Sequence, residues 1–134
     1  MIAILDYGIG NLKSIYNMFK KVGVESLITS DIEEIKKANK YLLPGVGSFD
    51  HGINSLKNAP FFETLEKEVL ENKKPILGIC LGMQLLTNSS EEGKEKGLGW
   101  IDAQTIKFDL EDKSLSIPHM GWNKTNPINT NDVF

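Results

Sequence analysis

Short apolar runs alternate with helical stripes along this chain, and three of those runs end in a turn with little side chain, which limits the folds open to it. Residues 1–5 form an Ile-rich run that ends at Asp6 and the turn Tyr7-Gly8-Ile9-Gly10. Tyr41-Leu42-Leu43 runs into Pro44-Gly45-Val46-Gly47, and residues 75–79 run into Cys80. Between the runs, Leu12, Ile15, Tyr16 and Phe19 recur at i, i+3, i+4 and i+7, and Phe61, Leu65 and Val69 repeat every four positions. Such alternation is expected of parallel strands covered on both faces by helices. The predicted class is therefore α/β, a three-layer sandwich around a mostly parallel central sheet.

Read in order, Asn11 caps a first helix whose apolar stripe is expected to be buried before Gly23 stops it, and residues 24–28 form a second strand. Ile32 and Ile35 mark a short helix ending in Lys36-Lys37. Ile53 and Leu56 share the face of a helix that begins near Asp50. Residues 75–79 are the fourth strand, residues 81–86 a helix, and residues 89–96 a charged, glycine-containing loop. Beyond Trp100 the pattern weakens: residues 105–108 have strand character, and no element is placed on the polar segment opened by Pro118. The apolar pair Val133-Phe134 reads as the beginning of another element, so residues 1–134 are expected to be the N-terminal portion of one domain that continues.

Composition removes several function classes. The 134 residues carry 15 Lys+Arg against 18 Asp+Glu, a net charge of −3, which argues against a protein built to hold nucleic acid phosphates. The apolar run at residues 75–83 is far shorter than the ~20 residues that span a bilayer. The N-terminus lacks the basic segment and cleavage site of a signal peptide, so a cytoplasmic protein with no membrane contact is expected. Cys80 is the sole cysteine and rules out an internal disulfide. With only His51 and His119 beside it, no ordinary zinc site is expected, and no cofactor is indicated.

The strongest chemical signal is Gly78-Ile79-Cys80-Leu81-Gly82, a Gly-x-nucleophile-x-Gly pattern between a strand and a helix. In such an elbow the nucleophile sits on a sharp, strained turn, and the flanking glycines let neighbouring backbone pass close by. The following helix should favour the thiolate, and the Leu81 N–H is placed to hold an oxyanion. A blander reading makes Cys80 a small buried hydrophobe, but the glycines at this junction favour the elbow. Parallel neighbours deliver their C-terminal loops to one sheet edge, so Pro44-Gly45-Val46-Gly47 can face Cys80 and offer a second oxyanion donor; otherwise it is a plain strand-end turn. Gly8-Ile9-Gly10 invites a dinucleotide reading that fails at Lys13, where the third glycine should stand. His51 is more simply a surface histidine than a base. Trp122, in His119-Met120-Gly121-Trp122, is either tucked into the core or an interface anchor.

Together, Asp6-Tyr7-Gly8-Ile9-Gly10-Asn11, Leu43-Pro44-Gly45-Val46-Gly47, Gly78-Ile79-Cys80-Leu81-Gly82-Met83-Gln84-Leu85 and Pro118-His119-Met120-Gly121-Trp122-Asn123 resemble a known family. It is that of the glutaminase subunits of imidazole glycerol phosphate synthase, within the class I glutamine amidotransferases, and the resemblance runs over essentially the whole chain. It implies a flavodoxin-like sandwich and hydrolysis of glutamine to glutamate and ammonia through a thioester on Cys80. The ammonia would pass to a barrel-shaped synthase subunit, the partner in a heterodimer, that makes imidazole glycerol phosphate and AICAR in histidine biosynthesis.

The same resemblance implies an oxyanion hole from Leu81 and from Gly45, Val46 and Gly47, and a substrate-binding role for Gln84. It implies a partner interface at Tyr7, Gly10 and Asn11 and at His119, Met120, Trp122 and Asn123, which turns the choice for Trp122 toward an anchor. The family completes its triad with a His-x-Glu pair near its C-terminus. Neither His51 nor His119 matches, since Ile53 and Gly121 stand two residues further on, and neither is assigned as the base. These residues alone are therefore expected to be inactive. The alternatives are a related amidotransferase subunit serving another acceptor, and a catalytically inactive subunit that only binds the partner.

Overall fold

The computed structural model describes residues 1–111, 114, 116–124 and 126. The elements run β1 (Ile2–Leu5), α1 (Leu12–Lys21), β2 (Ser26–Thr29), α2 (Ile32–Lys37), β3 (Lys40–Leu43), α3 (Phe49–Lys57), α4 (Phe62–Leu70), β4 (Ile76–Gly78), α5 (Leu81–Leu85), β5 (Ser89–Ser90) and β6 (Gln104–Thr105). Strands β2, β1, β3 and β4 lie side by side in that order, all parallel, with Ile4 opposite both Ile28 and Leu42, and Leu42 opposite Leu77. This is the α/β architecture with a central parallel sheet that the alternation requires. Val133 and Phe134 lie outside the described residues.

Side chains alternate across the sheet, which divides the strands' apolar residues between its two faces. Ala3 and Leu5 of β1 and Tyr41 and Leu43 of β3 join Ile35, Phe49, Ile53, Leu56, Phe61, Leu65, Leu81 and Leu85 in one core. Helices α2 to α5 thus close one face, each large buried side chain contributing about 1.5–3 kcal/mol. Phe61 is the N-cap of α4 and fully buried, so the Phe61, Leu65, Val69 stripe faces the sheet. Near the N-terminal ends of the strands, Lys74 Nζ lies 2.6 Å from Glu68 Oε2 and donates to the Lys36 carbonyl at 2.7 Å, tying α4 to the end of α2.

The opposite face is covered differently. Asn11 caps α1 as its chemistry predicts, Oδ1 accepting from the Ser14 N–H at 3.3 Å, but no residue of α1 is fully buried. The stripe expected to be buried is only half covered, with Tyr16 exposed, because α1 is the one helix on this face among the described residues. Ile15, Met18 and Phe19 instead flank an open groove of about 390 Å³ with Leu42, Leu77 and Ile79. Leu77, on the outermost strand, is 52% exposed.

Two further expectations are corrected by pairing distant in sequence. Ser89 and Ser90, expected in a loop, form a short parallel ladder with Gln104 and Thr105. The strand expected at residues 105–108 stops at Thr105, since Ile106 and Phe108 have no ladder partner and are exposed. No helix among the described residues is long and apolar enough to cross a membrane.

Candidate active site

Strand β4 ends at Gly78, and Cys80 follows as the N-cap residue of α5 with φ 55° and ψ −119°. A positive φ on a residue with a β-carbon is strained, at a cost of about 1–3 kcal/mol. The neighbours hold it there. The Ile79 N–H donates to the Leu43 carbonyl at 3.0 Å, carrying the β3–β4 pairing one residue beyond the strands, and the Met83 and Gln84 N–H groups donate to the Cys80 carbonyl at 3.0 and 3.2 Å. A β-carbon at Gly82 would strike the Leu43 carbonyl oxygen, and one at Gly78 would lie 2.6 Å from the Met83 nitrogen. The glycines are what lets α5 begin directly against the strand backbone, leaving the Cys80 side chain exposed. The Leu81 N–H takes part in none of the turn's backbone bonds.

The turn after β3 lies against the same junction. A β-carbon on Gly45 would lie 2.8 Å from the Gly82 nitrogen and 2.9 Å from Leu81 Cβ. Val46 and Gly47 are exposed, and Gly47 has φ +103° with open space around it. Gly45 therefore touches the start of α5, while the two residues after it turn toward solvent at the edge where Cys80 stands.

Gln84, one helical turn beyond Cys80, carries a buried Oε1 with no hydrogen-bond partner among the described residues. It lines a cavity of about 430 Å³ with Glu92, Thr105, Ile106, Lys107 and Phe108. Cys80 is not in that lining. A larger cavity, about 630 Å³, runs between Phe108 and Met120 and includes His119 but neither Cys80 nor Gln84. Glu92, which sits in a run of charges that reads as solvated, is exposed at the rim of the Gln84 cavity and was not among the residues expected at the site. The only signal was Gly93: a β-carbon there would run into Asp50 Oδ1, which accepts the Lys94 and Glu95 N–H groups at 2.8 and 3.0 Å and ties this loop to α3.

Neither histidine is hydrogen-bonded to Cys80 among the described residues. His51 is exposed on α3, and His119 Nε2 pairs with the Asn123 side-chain amide at 2.7 Å. Met120, Trp122 and Asn123 are exposed, Trp122 completely at 105%, so its ring is not tucked into the core of the described residues. Of the other residues expected at a partner surface, Asn11 is exposed and Gly10 half-exposed, whereas Tyr7 is turned inward, 7% exposed. No group of three His, Cys, Asp or Glu side chains among the described residues is placed to hold a metal ion.

Residues 3–131 match the family model described as glutamine amidotransferase class-I. The chain is 59% identical over 123 residues to imidazole glycerol phosphate synthase subunit HisH 2 of Methanococcus maripaludis, covering 92% of this chain and 60% of that protein. It is 44% identical over 127 residues to subunit HisH 2 of Pseudomonas aeruginosa, covering 95% and 62% respectively. Subunit HisH 1 of Campylobacter jejuni is 47% identical over 135 residues, 100% of this chain and 67% of that relative. The chain thus spans about three fifths to two thirds of the length of these curated relatives.

Proposed function

The chain belongs to the class-I glutamine amidotransferase family, and on that premise we propose that it carries the nucleophile and oxyanion turn of a glutaminase subunit feeding ammonia to imidazole glycerol phosphate synthesis. The observation that carries this reading is the strained Cys80 between Gly78 and Gly82, with the glycine turn after β3 packed beside it. Cys80 Sγ attacks the side-chain carboxamide carbon of glutamine. The oxyanion that forms is held by the Leu81 N–H and by an N–H from the segment Gly45, Val46, Gly47, aimed at charge that exists only in the transition state. Collapse expels ammonia and leaves a thioester, which water cleaves to glutamate.

Gln84 and Glu92 belong to substrate recognition in this reading. The unpartnered Gln84 Oε1 is an acceptor awaiting a donor, and the Glu92 carboxylate in the same cavity complements an α-ammonium group. The base that takes the sulfur's proton is supplied, as the family resemblance implies, by a His-x-Glu pair outside these residues. The partner is a barrel-shaped synthase subunit in a heterodimer. It is met by the exposed side chains of Asn11, His119, Met120, Trp122 and Asn123 and by the backbone at Gly10.

The test is glutamate release from glutamine by the full-length protein mixed with its synthase subunit. Cys80→Ala should abolish release, and unchanged turnover in that variant would sink the assignment. A second reading, a subunit that binds the partner but has lost its chemistry, draws on the lack of a base beside Cys80 among the described residues. An electrophilic glutamine analogue separates the two. A working glutaminase labels at Cys80 far faster than a free thiol, and a silent subunit does not.

A further inference from the structure

Tyr7 is a buried side chain in a turn expected on other grounds to face outward, and what it holds is the residue ahead of the oxyanion glycines. Its hydroxyl donates to the Pro44 carbonyl at 2.5 Å and lies 3.0 Å from where a β-carbon on Gly45 would stand. Burial pushes the phenol well above its ordinary range, so the group stays protonated and acts as a donor. Pro44 has no N–H, which leaves its carbonyl as its one backbone hydrogen-bonding group. The same turn touches Pro44 a second time, because a β-carbon on Gly10 would lie 3.2 Å from Pro44 Cβ. One residue further on the constraint ends: Val46 is 56% exposed, and a β-carbon on Gly47 would meet nothing within 4 Å.

Building on the glutaminase reading above, we propose that Tyr7 is a positioning residue for the oxyanion turn. Its hydroxyl, by holding the Pro44 carbonyl, fixes the peptide joining Pro44 to Gly45 against the start of α5. The peptide joining Gly45 to Val46 is left as the one that turns its N–H toward Cys80. A trans peptide is planar, so pinning the Pro44 oxygen also sets the direction of the Gly45 N–H. Rotation that would otherwise spread over the whole turn is confined to the next bond, where glycine permits it. A buried tyrosine hydroxyl needs some acceptor merely to be satisfied. A purely structural bond, however, would not distinguish the transition state from bound substrate.

Tyr7→Phe, made in the full-length protein with its synthase subunit, keeps the ring and removes the clamp. Three quantities are read: kcat and KM for glutamine, the rate of Cys80 alkylation by iodoacetamide, and the affinity for glutamate γ-semialdehyde. The thiol adds to that aldehyde to give a tetrahedral hemithioacetal whose oxygen occupies the oxyanion position, with no leaving group. The expected result is a fall of about tenfold in kcat and in aldehyde affinity together, with KM and alkylation within about twofold of wild type. Unchanged kcat and aldehyde affinity beside normal wild-type turnover overturn the inference alone. So does a parallel loss of KM, alkylation and kcat, which marks a collapsed site. A wild-type complex that releases no glutamate overturns the glutaminase reading itself, and this inference with it.

Discussion

Two segments of this chain carry distinctive motifs, residues 78–82 and residues 118–123, and they are built in opposite ways. At residues 78–82 backbone meets backbone: α5 starts against β3, and the glycines are the only residues that fit the contacts. At residues 118–123 there is no regular element, and Met120 and Trp122 stand in solvent. In the first segment sequence is dictated by the chain's own packing. In the second nothing within the described residues requires those side chains, and a large aromatic ring left in water is the kind of side chain that partners use as an anchor. The difference separates what holds the site together from what reads its surroundings.

The contact of α5 with β3 is tested most severely at Gly82. Gly82→Ala places a methyl group into the Leu43 carbonyl, with backbone on both sides and no flexible side chain to give way. A loss of about 3 kcal/mol or more is expected, read as a lowered urea midpoint of the full-length protein. A variant as stable as wild type would mean that α5 does not pack on β3 as closely as described.

How far the sequence carried this reading follows the same division. Strands β1, β3 and β4 and helices α3 and α4 were legible because each has its own local signal, an apolar run or a stripe at helical spacing. The elbow was legible because its glycines report a close approach of backbone. The half-bare stripe on α1 was not, since its burial depends on what lies over the far side of the helix, which no local pattern records. Ser89 and Ser90 have no apolar signal of their own and pair only because Gln104 and Thr105 lie alongside. Tyr7 was expected at the partner surface only because the family resemblance implies an interface there. It turns inward to reach an acceptor 37 positions away in sequence.

Trp122 stands at the opposite extreme from Gly82, exposed rather than packed. Trp122→Ala should leave the urea midpoint of the isolated full-length subunit unchanged within the equivalent of about 0.5 kcal/mol, because the ring covers nothing among the described residues. Affinity for the synthase subunit should fall by about 2 kcal/mol, roughly 30-fold, by titration calorimetry. If stability fell and affinity did not, the ring would be packed within its own subunit.

At Cys80, where both kinds of constraint meet in one residue, the expected change in stability is smaller than at Gly82 and of opposite sign. Its packing neighbours hold the backbone at φ 55°, a conformation glycine adopts freely and cysteine does not, while its side chain is exposed and covers little. Cys80→Gly therefore relieves strain in the folded state, offset in part by the greater freedom glycine adds to the unfolded chain. A net gain of about 1 kcal/mol is expected in the full-length protein, alongside complete loss of glutamate release. Cys80→Ala provides the contrast, since alanine keeps the β-carbon and the strain, so it should lose the activity without gaining the stability. Equal stabilities for the glycine and alanine variants would mean that the elbow stores no strain. The cysteine would then sit at a position the fold tolerates without cost, rather than one where stability has been given up to present a nucleophile.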